Sequence, residues 1–128
     1  KRDKNYYGDL TLEVLEVSVK EEALKRDMEV ECFQSNHEGG LIDFLQKKTG
    51  GVDGIIINPG ALTHYSYALH DALVDTGLAC VEVHLSDVEN REEWRKISVT
   101  APACIAKISG KQEQGYIEAI DILHEKLT

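Results

Sequence analysis

Gly54-Ile55-Ile56-Ile57-Asn58-Pro59-Gly60-Ala61-Leu62-Thr63-His64 decides the fold: an apolar run of β-branched residues breaks off at an asparagine and a Pro-Gly turn. Three consecutive isoleucines without polar alternation predict a strand covered by helices on both faces, as in a parallel sheet. Asn58 marks the carboxyl end of that strand. In open α/β sheets ligands gather at the carboxyl ends of strands, so Asn58, Thr63 and His64 stand where a binding loop is expected. Asn-Pro-Gly is also ordinary turn vocabulary, and taken alone the loop fits a strand followed by a plain turn.

On the amino-terminal side of this strand, residues 1–9 are polar and aromatic without a period and read as a loop. Leu10 to Arg26 fits two patterns. Thr11 can begin a helix with Leu12, Leu15, Val19 and Ala23 on one side, while Leu10, Leu12 and Val14 alternate as in a strand; length favours the helix. Met28, Val30 and Cys32 alternate with Glu29 and Glu31, which predicts a strand near the sheet edge, and residues 34–40 read as a loop. Leu41, Ile42, Phe44 and Leu45 form a helical stripe, and Gly50-Gly51 after Thr49 suit the positive φ that helix ends favour.

On the carboxyl side, Thr63 is the expected cap of a helix whose inward residues are Ala68, Leu69, Ala72 and Leu73 and which stops near Gly77. Leu78 to Leu85 makes the next strand. Residues 86–97 read as a charged loop with a short helical turn around Trp94, and Pro102 to Ile108 as a last short strand. Tyr116, Ile120, Leu123 and Leu127 repeat at helical spacing and predict a terminal amphipathic helix. Alternating strands and helices give an α/β domain with a parallel sheet and right-handed crossovers. Such a domain normally opens with a strand, whereas this sequence opens in a polar loop and enters a helix. The expectation is therefore that the first strand of the sheet is missing from these residues.

A chain of 128 residues makes one domain, spanning 1–128. Fourteen basic against twenty-three acidic side chains leave a formal charge of −9, which repels polyphosphate and argues against a nucleic-acid partner. Cys32, Cys80 and Cys104 are odd in number, widely spaced and flanked by apolar residues, as expected of reduced core cysteines. The apolar runs fall well short of the roughly 18 residues a membrane span needs, and the charged start Lys1-Arg2-Asp3-Lys4 precedes no secretory apolar segment. A cytoplasmic protein without a membrane partner is expected.

Four stretches then combine: Phe33-Gln34-Ser35-Asn36-His37-Glu38-Gly39, Ile57 to His64, Val81-Glu82-Val83-His84-Leu85-Ser86, and Arg91-Glu92-Glu93-Trp94-Arg95. Their order and content closely resemble type II 3-dehydroquinate dehydratase, from Arg2 to the helix ending near Leu127. The resemblance implies a flavodoxin-like doubly wound sheet and trimers assembled into a homo-oligomeric dodecamer. It implies removal of water from 3-dehydroquinate to give 3-dehydroshikimate, an anti elimination through an enolate in the shikimate pathway. It implies neither a metal nor an organic cofactor. The family's opening Asn-Gly-Pro-Asn-type loop, whose asparagine helps hold a water near the enolate oxygen, has no counterpart in this sequence.

The chemistry accounts for the residue types. Removing a proton beside a ketone needs a base, a stabiliser for the enolate oxygen and an acid for the departing hydroxyl. Tyr7 matches the family base. Free tyrosine titrates at about 10, so a tyrosinate needs adjacent positive charge, and Arg2 matches the residue that supplies it. His64 matches the family's general acid, and Glu82 the carboxylate that orients it. Asn58, His84, the amides around Leu85 and Ser86, and Arg95 resemble the substrate-binding set, with Asn58, His84 and Arg95 on hydroxyls and the amides on the carboxylate. Asp71 matches a residue reaching into a neighbouring active site, and His70 replaces a common arginine. His37 and Glu38 are read as structural.

Glu82 and His84 also share one face of a predicted strand, which raises a metal site, but a third ligand is wanting. The alternative from another class is a flavodoxin-like binding or assembly protein without catalysis. A flavin or nucleotide protein is a further option, with no Gly-x-Gly-x-x-Gly or Walker pattern in its favour.

Overall fold

The computed structural model of the chain describes residues 11–86 and 92–128. Among these residues four α-helices surround a parallel sheet: α1 (Leu12–Leu24), α2 (Glu38–Lys48), β1 (Gly54–Ile57), α3 (Tyr67–Thr76), β2 (Ala79–His84), β3 (Ala106–Ser109) and α4 (Gln114–Leu127). Sheet order is β1-β2-β3, and both pairings are parallel. Ile56 lies opposite Val81, and Val81 opposite Ala106. This is an α/β, flavodoxin-like arrangement among the described residues.

The strand alternation sorts the core. Val81 and Val83 join Ile108, Ala119 and Leu123 on the α4 side, next to the cluster of Leu15, Val19, Ala23, Leu85 and Ile120 that seats α1. Cys80 points the other way, into Leu45, Ile57, Leu69 and Leu73 beneath α2 and α3. Glu82 and His84, two and four residues on, therefore share the α2 and α3 side of β2. That side is closed by a 3-10 turn at Ala101–Ala103. At Gly115 a Cβ would sit 3.1 Å from Val83 Cγ1, so a glycine there lets α4 lie close on β2.

Several helix ends differ from the sequence reading. Thr11 does cap α1, its hydroxyl accepting from Val14 N at 3.2 Å. α3 is capped by Ser66, which accepts from Leu69 N at 3.0 Å, because Thr63 is taken up in a 3-10 turn over Gly60–His64. Ala68 is exposed, whereas Leu69, Ala72 and Leu73 are buried, and α3 stops at Gly77 with φ of 70°. α2 starts at Glu38, inside the expected loop. Glu38 accepts the Ser66 hydroxyl, which ties the start of α2 to the start of α3. Neither Gly50 nor Gly51 takes a positive φ; α2 runs into a 3-10 turn, with the Thr49 hydroxyl on Leu45 O at 2.6 Å.

Two expectations about the sheet are corrected. Residues 28–32 form no strand: Met28 and Val30 pack on the α1 and α4 clusters, but no ladder joins this segment to β1. Instead both line a cleft of about 1660 Å³, and a strand exists only where a neighbouring backbone lies within hydrogen-bonding reach. For the same reason the isoleucine strand is an edge strand among the described residues. Ile55 and Ile56 are part-exposed toward the cleft, and only Ile57 is buried.

Candidate active site

The cleft ends at the carboxyl ends of β1 and β2, where Asn58, His64, His84, Leu85 and Arg95 all contribute to its lining. Asn58 follows β1. Its side-chain oxygen accepts Gly60 N at 3.1 Å in a local turn, so its amide nitrogen is the end left to donate to a ligand hydroxyl.

Glu82 lies fully buried in the middle strand, where a bare carboxylate is costly. Three side chains close around it. His84 Nε2 donates to Oε2 at 2.8 Å, Ser98 Oγ donates to the same oxygen at 2.8 Å, and the Thr100 hydroxyl donates to Oε1. Ser98 is itself held by the Ala101 amide at 2.9 Å. Burial alone would raise the Glu82 pKa, but the hydrogen bonds from His84, Thr100 and Ser98 outweigh it and hold the carboxyl below its ordinary value. Glu82 is thus an acceptor, which makes His84 Nε2 the N–H donor and turns Nδ1 to other partners.

The expected pairing of Glu82 with His64 is therefore corrected. Residues 82 and 84 stand on one face of β2, while His64 belongs to the turn after β1 and makes its bond elsewhere: its Nδ1 lies 2.7 Å from Ile97 O. The carboxylate–imidazole contact of the site is Glu82–His84.

The segment that carries Ile97 also carries Trp94 and Arg95. The Trp94 ring stands perpendicular to the His64 ring at 5.3 Å, and the Arg95 guanidinium lies 4.1 Å over the Trp94 ring. Arg95 Nε also donates to Glu92 at 2.5 Å. Val99 N to Thr63 O, at 2.7 Å, pins this segment beside the β1 loop. At the end of β2, Gln112 N donates to Leu85 O at 3.0 Å and Gly110 N to Ser86 O at 3.2 Å, which fixes the peptides on which a carboxylate is expected.

Asp71 stands apart, on the outer side of α3. Its carboxylate is 77% exposed and meets His70 Nδ1 at 3.0 Å. Arg2 and Tyr7 lie outside the described residues. Ser98, Thr100 and Trp94 are the site residues that sequence reasoning did not single out for a role. The signal for the first two was a Ser-x-Thr pair in a loop following a strand with a glutamate in its middle. Among the described residues no group of three or more His, Cys, Asp or Glu gathers as metal ligands. Burial raises the thiols of Cys32, Cys80 and Cys104, the last to about 12, so these cysteines are poor nucleophiles.

A family model described as dehydroquinase class II matches residues 1–124. The 3-dehydroquinate dehydratase of Clostridium beijerinckii is 54% identical over 126 residues, covering 98% of this chain and 86% of that protein. The enzyme of the same name from Bacillus cytotoxicus is 49% identical over 126 residues, with the same two coverages. The crystal structure of a type II dehydroquinase from Butyrivibrio crossotus superposes with a TM-score of 0.91 at 51% identity, over 95% of this chain and 86% of that one.

Proposed function

The chain belongs to the class II dehydroquinase family and dehydrates 3-dehydroquinate in the shikimate pathway, and we propose that Arg2, Tyr7, Glu82 and His84 carry the proton transfers. The observation that carries this division of labour is the buried Glu82–His84 pair at the cleft end, with Nε2 on the carboxylate at 2.8 Å. Tyr7 as tyrosinate, favoured by the positive charge of Arg2, takes the proton beside the ketone and leaves an enolate. The enolate re-forms the ketone system as the carbon–oxygen bond to the departing hydroxyl breaks. His84, as an imidazolium stabilised by Glu82, gives that oxygen its proton from Nδ1, so water leaves. The proton balance closes when Tyr7 returns its proton and His84 regains one.

Asn58, His64 and Arg95 supply hydroxyl contacts, and the peptides at Leu85 and Ser86 hold the substrate carboxylate. These local donors offset the repulsion between an anionic substrate and a chain of charge −9. Four motifs in family order leave the non-catalytic binding protein without a feature in its favour.

The assembly follows the family's trimer-based dodecamer, in the cytoplasm, with Asp71 completing the site of a neighbouring subunit. Its support is local: α3 presents Asp71 outward between Tyr67 and Val74, which are 68% and 53% exposed. Exposed apolar residues around an outward carboxylate suit a subunit contact. The test is complementation. Tyr7→Phe and Asp71→Ala homo-oligomers are each expected to lose nearly all turnover, and subunit exchange between them should restore it, since some mixed sites hold both intact residues. Verified exchange without recovery would place Asp71 outside the site of its neighbour.

A further inference from the structure

Trp94 is the sole tryptophan of the chain, and it stands between two residues of the substrate pocket without lining the cleft itself. Its ring is perpendicular to His64 at 5.3 Å and carries the Arg95 guanidinium at 4.1 Å. Both are favourable geometries for an aromatic ring, the first as an edge-to-face pair and the second as a cation on a π face. Three residues on, Ile97 presents its carbonyl to His64 Nδ1 at 2.7 Å.

A carbonyl oxygen can only accept, so the bond to Ile97 fixes the proton of His64 on Nδ1. The other ring nitrogen, Nε2, then carries the lone pair in the neutral ring. We propose that Trp94 is a positioning residue that holds His64 in the Nδ1–H tautomer, so that Nε2 accepts a hydrogen bond from a substrate hydroxyl. The proposal rests on the assignment of His64 to the substrate pocket and adds the direction of its hydrogen bond. It also explains why the short turn at Glu93–Lys96 places an apolar ring, 49% exposed, beside a polar site. Without that ring the imidazole can swing away from Ile97 O, because the carbonyl bond alone leaves rotation about the His64 side chain open. Ile97 O is set in place by the neighbouring peptide, since Val99 N is bonded to Thr63 O.

Among the described residues, the charges on the turn beside His64 are paired with one another. Arg95 reaches Trp94 from above, Glu92 holds Arg95, and Glu93 pairs with Lys96 at 3.2 Å, so each charge on this turn has a partner other than His64. Among the described residues the tautomer is consequently set by the Ile97 bond and the Trp94 contact, with no ion pair to His64.

The test uses the whole chain labelled with 15N-histidine and read by long-range 1H–15N correlation in mildly alkaline buffer, the His64 signals being identified by their loss in His64→Asn. Nε2 of His64 is expected to be of the unprotonated, pyridine type in the native protein and in Trp94→Phe. In Trp94→Ala the two tautomers should mix. With 3-dehydroquinate, Trp94→Ala should raise KM between about twofold and about tenfold, the range of one aromatic contact, with a smaller change in kcat. Trp94→Phe should restore KM. A protonated Nε2 in the native protein would overturn the proposal, as would a Trp94→Ala variant with tautomer and KM both unchanged. A His64→Asn variant with native KM and kcat would instead remove His64 from the pocket while the tautomer measurement still decides the role of Trp94. A loss in Trp94→Ala that Phe does not rescue, with the tautomer intact, would assign Trp94 to folding alone.

Discussion

β1 and β2 lie side by side, and the strand with the more apolar sequence is the less buried of the two. Gly54–Ile57 is three-quarters isoleucine, yet only Ile57 is buried; Cys80 to His84 includes a glutamate and a histidine, and all five are buried. Position explains the inversion. β2 has paired strands on both sides and cover on both faces, whereas β1 is paired on one side among the described residues and meets the cleft on the other. Among the described residues, pairing and cover, not apolar composition, separate the two strands. A glutamate in the better-covered strand persists because Ser98, Thr100 and His84 satisfy it, and that satisfaction fixes the Glu82–His84 contact.

The contrast is open to a direct attack by mutation. Glu82→Ala strands three donors, two of them buried, around an empty acceptor position and should cost about 3 kcal/mol of stability. Ile55→Ala trims a part-exposed side chain at the cleft and should cost about 1 kcal/mol. Urea titrations of both variants would measure the difference. Equal losses would mean that β1 and β2 do not differ in burial as described.

A smaller effect is expected from acid. The Glu82 carboxyl has a folded pKa below its ordinary value of 4.5, so the stability it confers is fully present above that value. It is lost as pH falls from there through the lower folded value, where the native state must take up a proton it resists. Glu82→Gln should flatten the dependence of stability on pH below about 4.5 and leave the neutral range alone. A variant with an unchanged acid limb would locate the linkage in other carboxylates.

Much of the fold was legible in the sequence because the signals were local. The Thr11 start of α1, the glycine stop of α3, the extent of β2 and the stripe of Ile120 and Leu123 in α4 each follow from residues within one or two turns. What misled were features that depend on neighbours. Met28, Val30 and Cys32 alternate as a strand should, but alternation cannot supply the pairing backbone. The Gly50-Gly51 pair suggested a left-handed helix end, yet Thr49 closes α2 through its hydroxyl.

The site divides in the same way. Asn58, His64, His84, Leu85 and Arg95 all contribute to the lining of the cleft. Which histidine joins Glu82 was not legible from the list of motifs. The strand period placed Glu82 and His84 on one face, and the structure follows that period. Ser98 and Thr100 lie sixteen and eighteen residues beyond Glu82, a separation at which only the fold can reveal a hydrogen bond.

The most direct measurement is the turnover number of His84→Asn and of His64→Asn with saturating 3-dehydroquinate. If Glu82–His84 is the acid that protonates the departing hydroxyl, His84→Asn should lose about a hundredfold or more in kcat, while His64→Asn should act mainly through KM. A His84→Asn enzyme with near-native kcat, beside a His64→Asn enzyme that has lost it, would contradict the assignment and return the acid to His64.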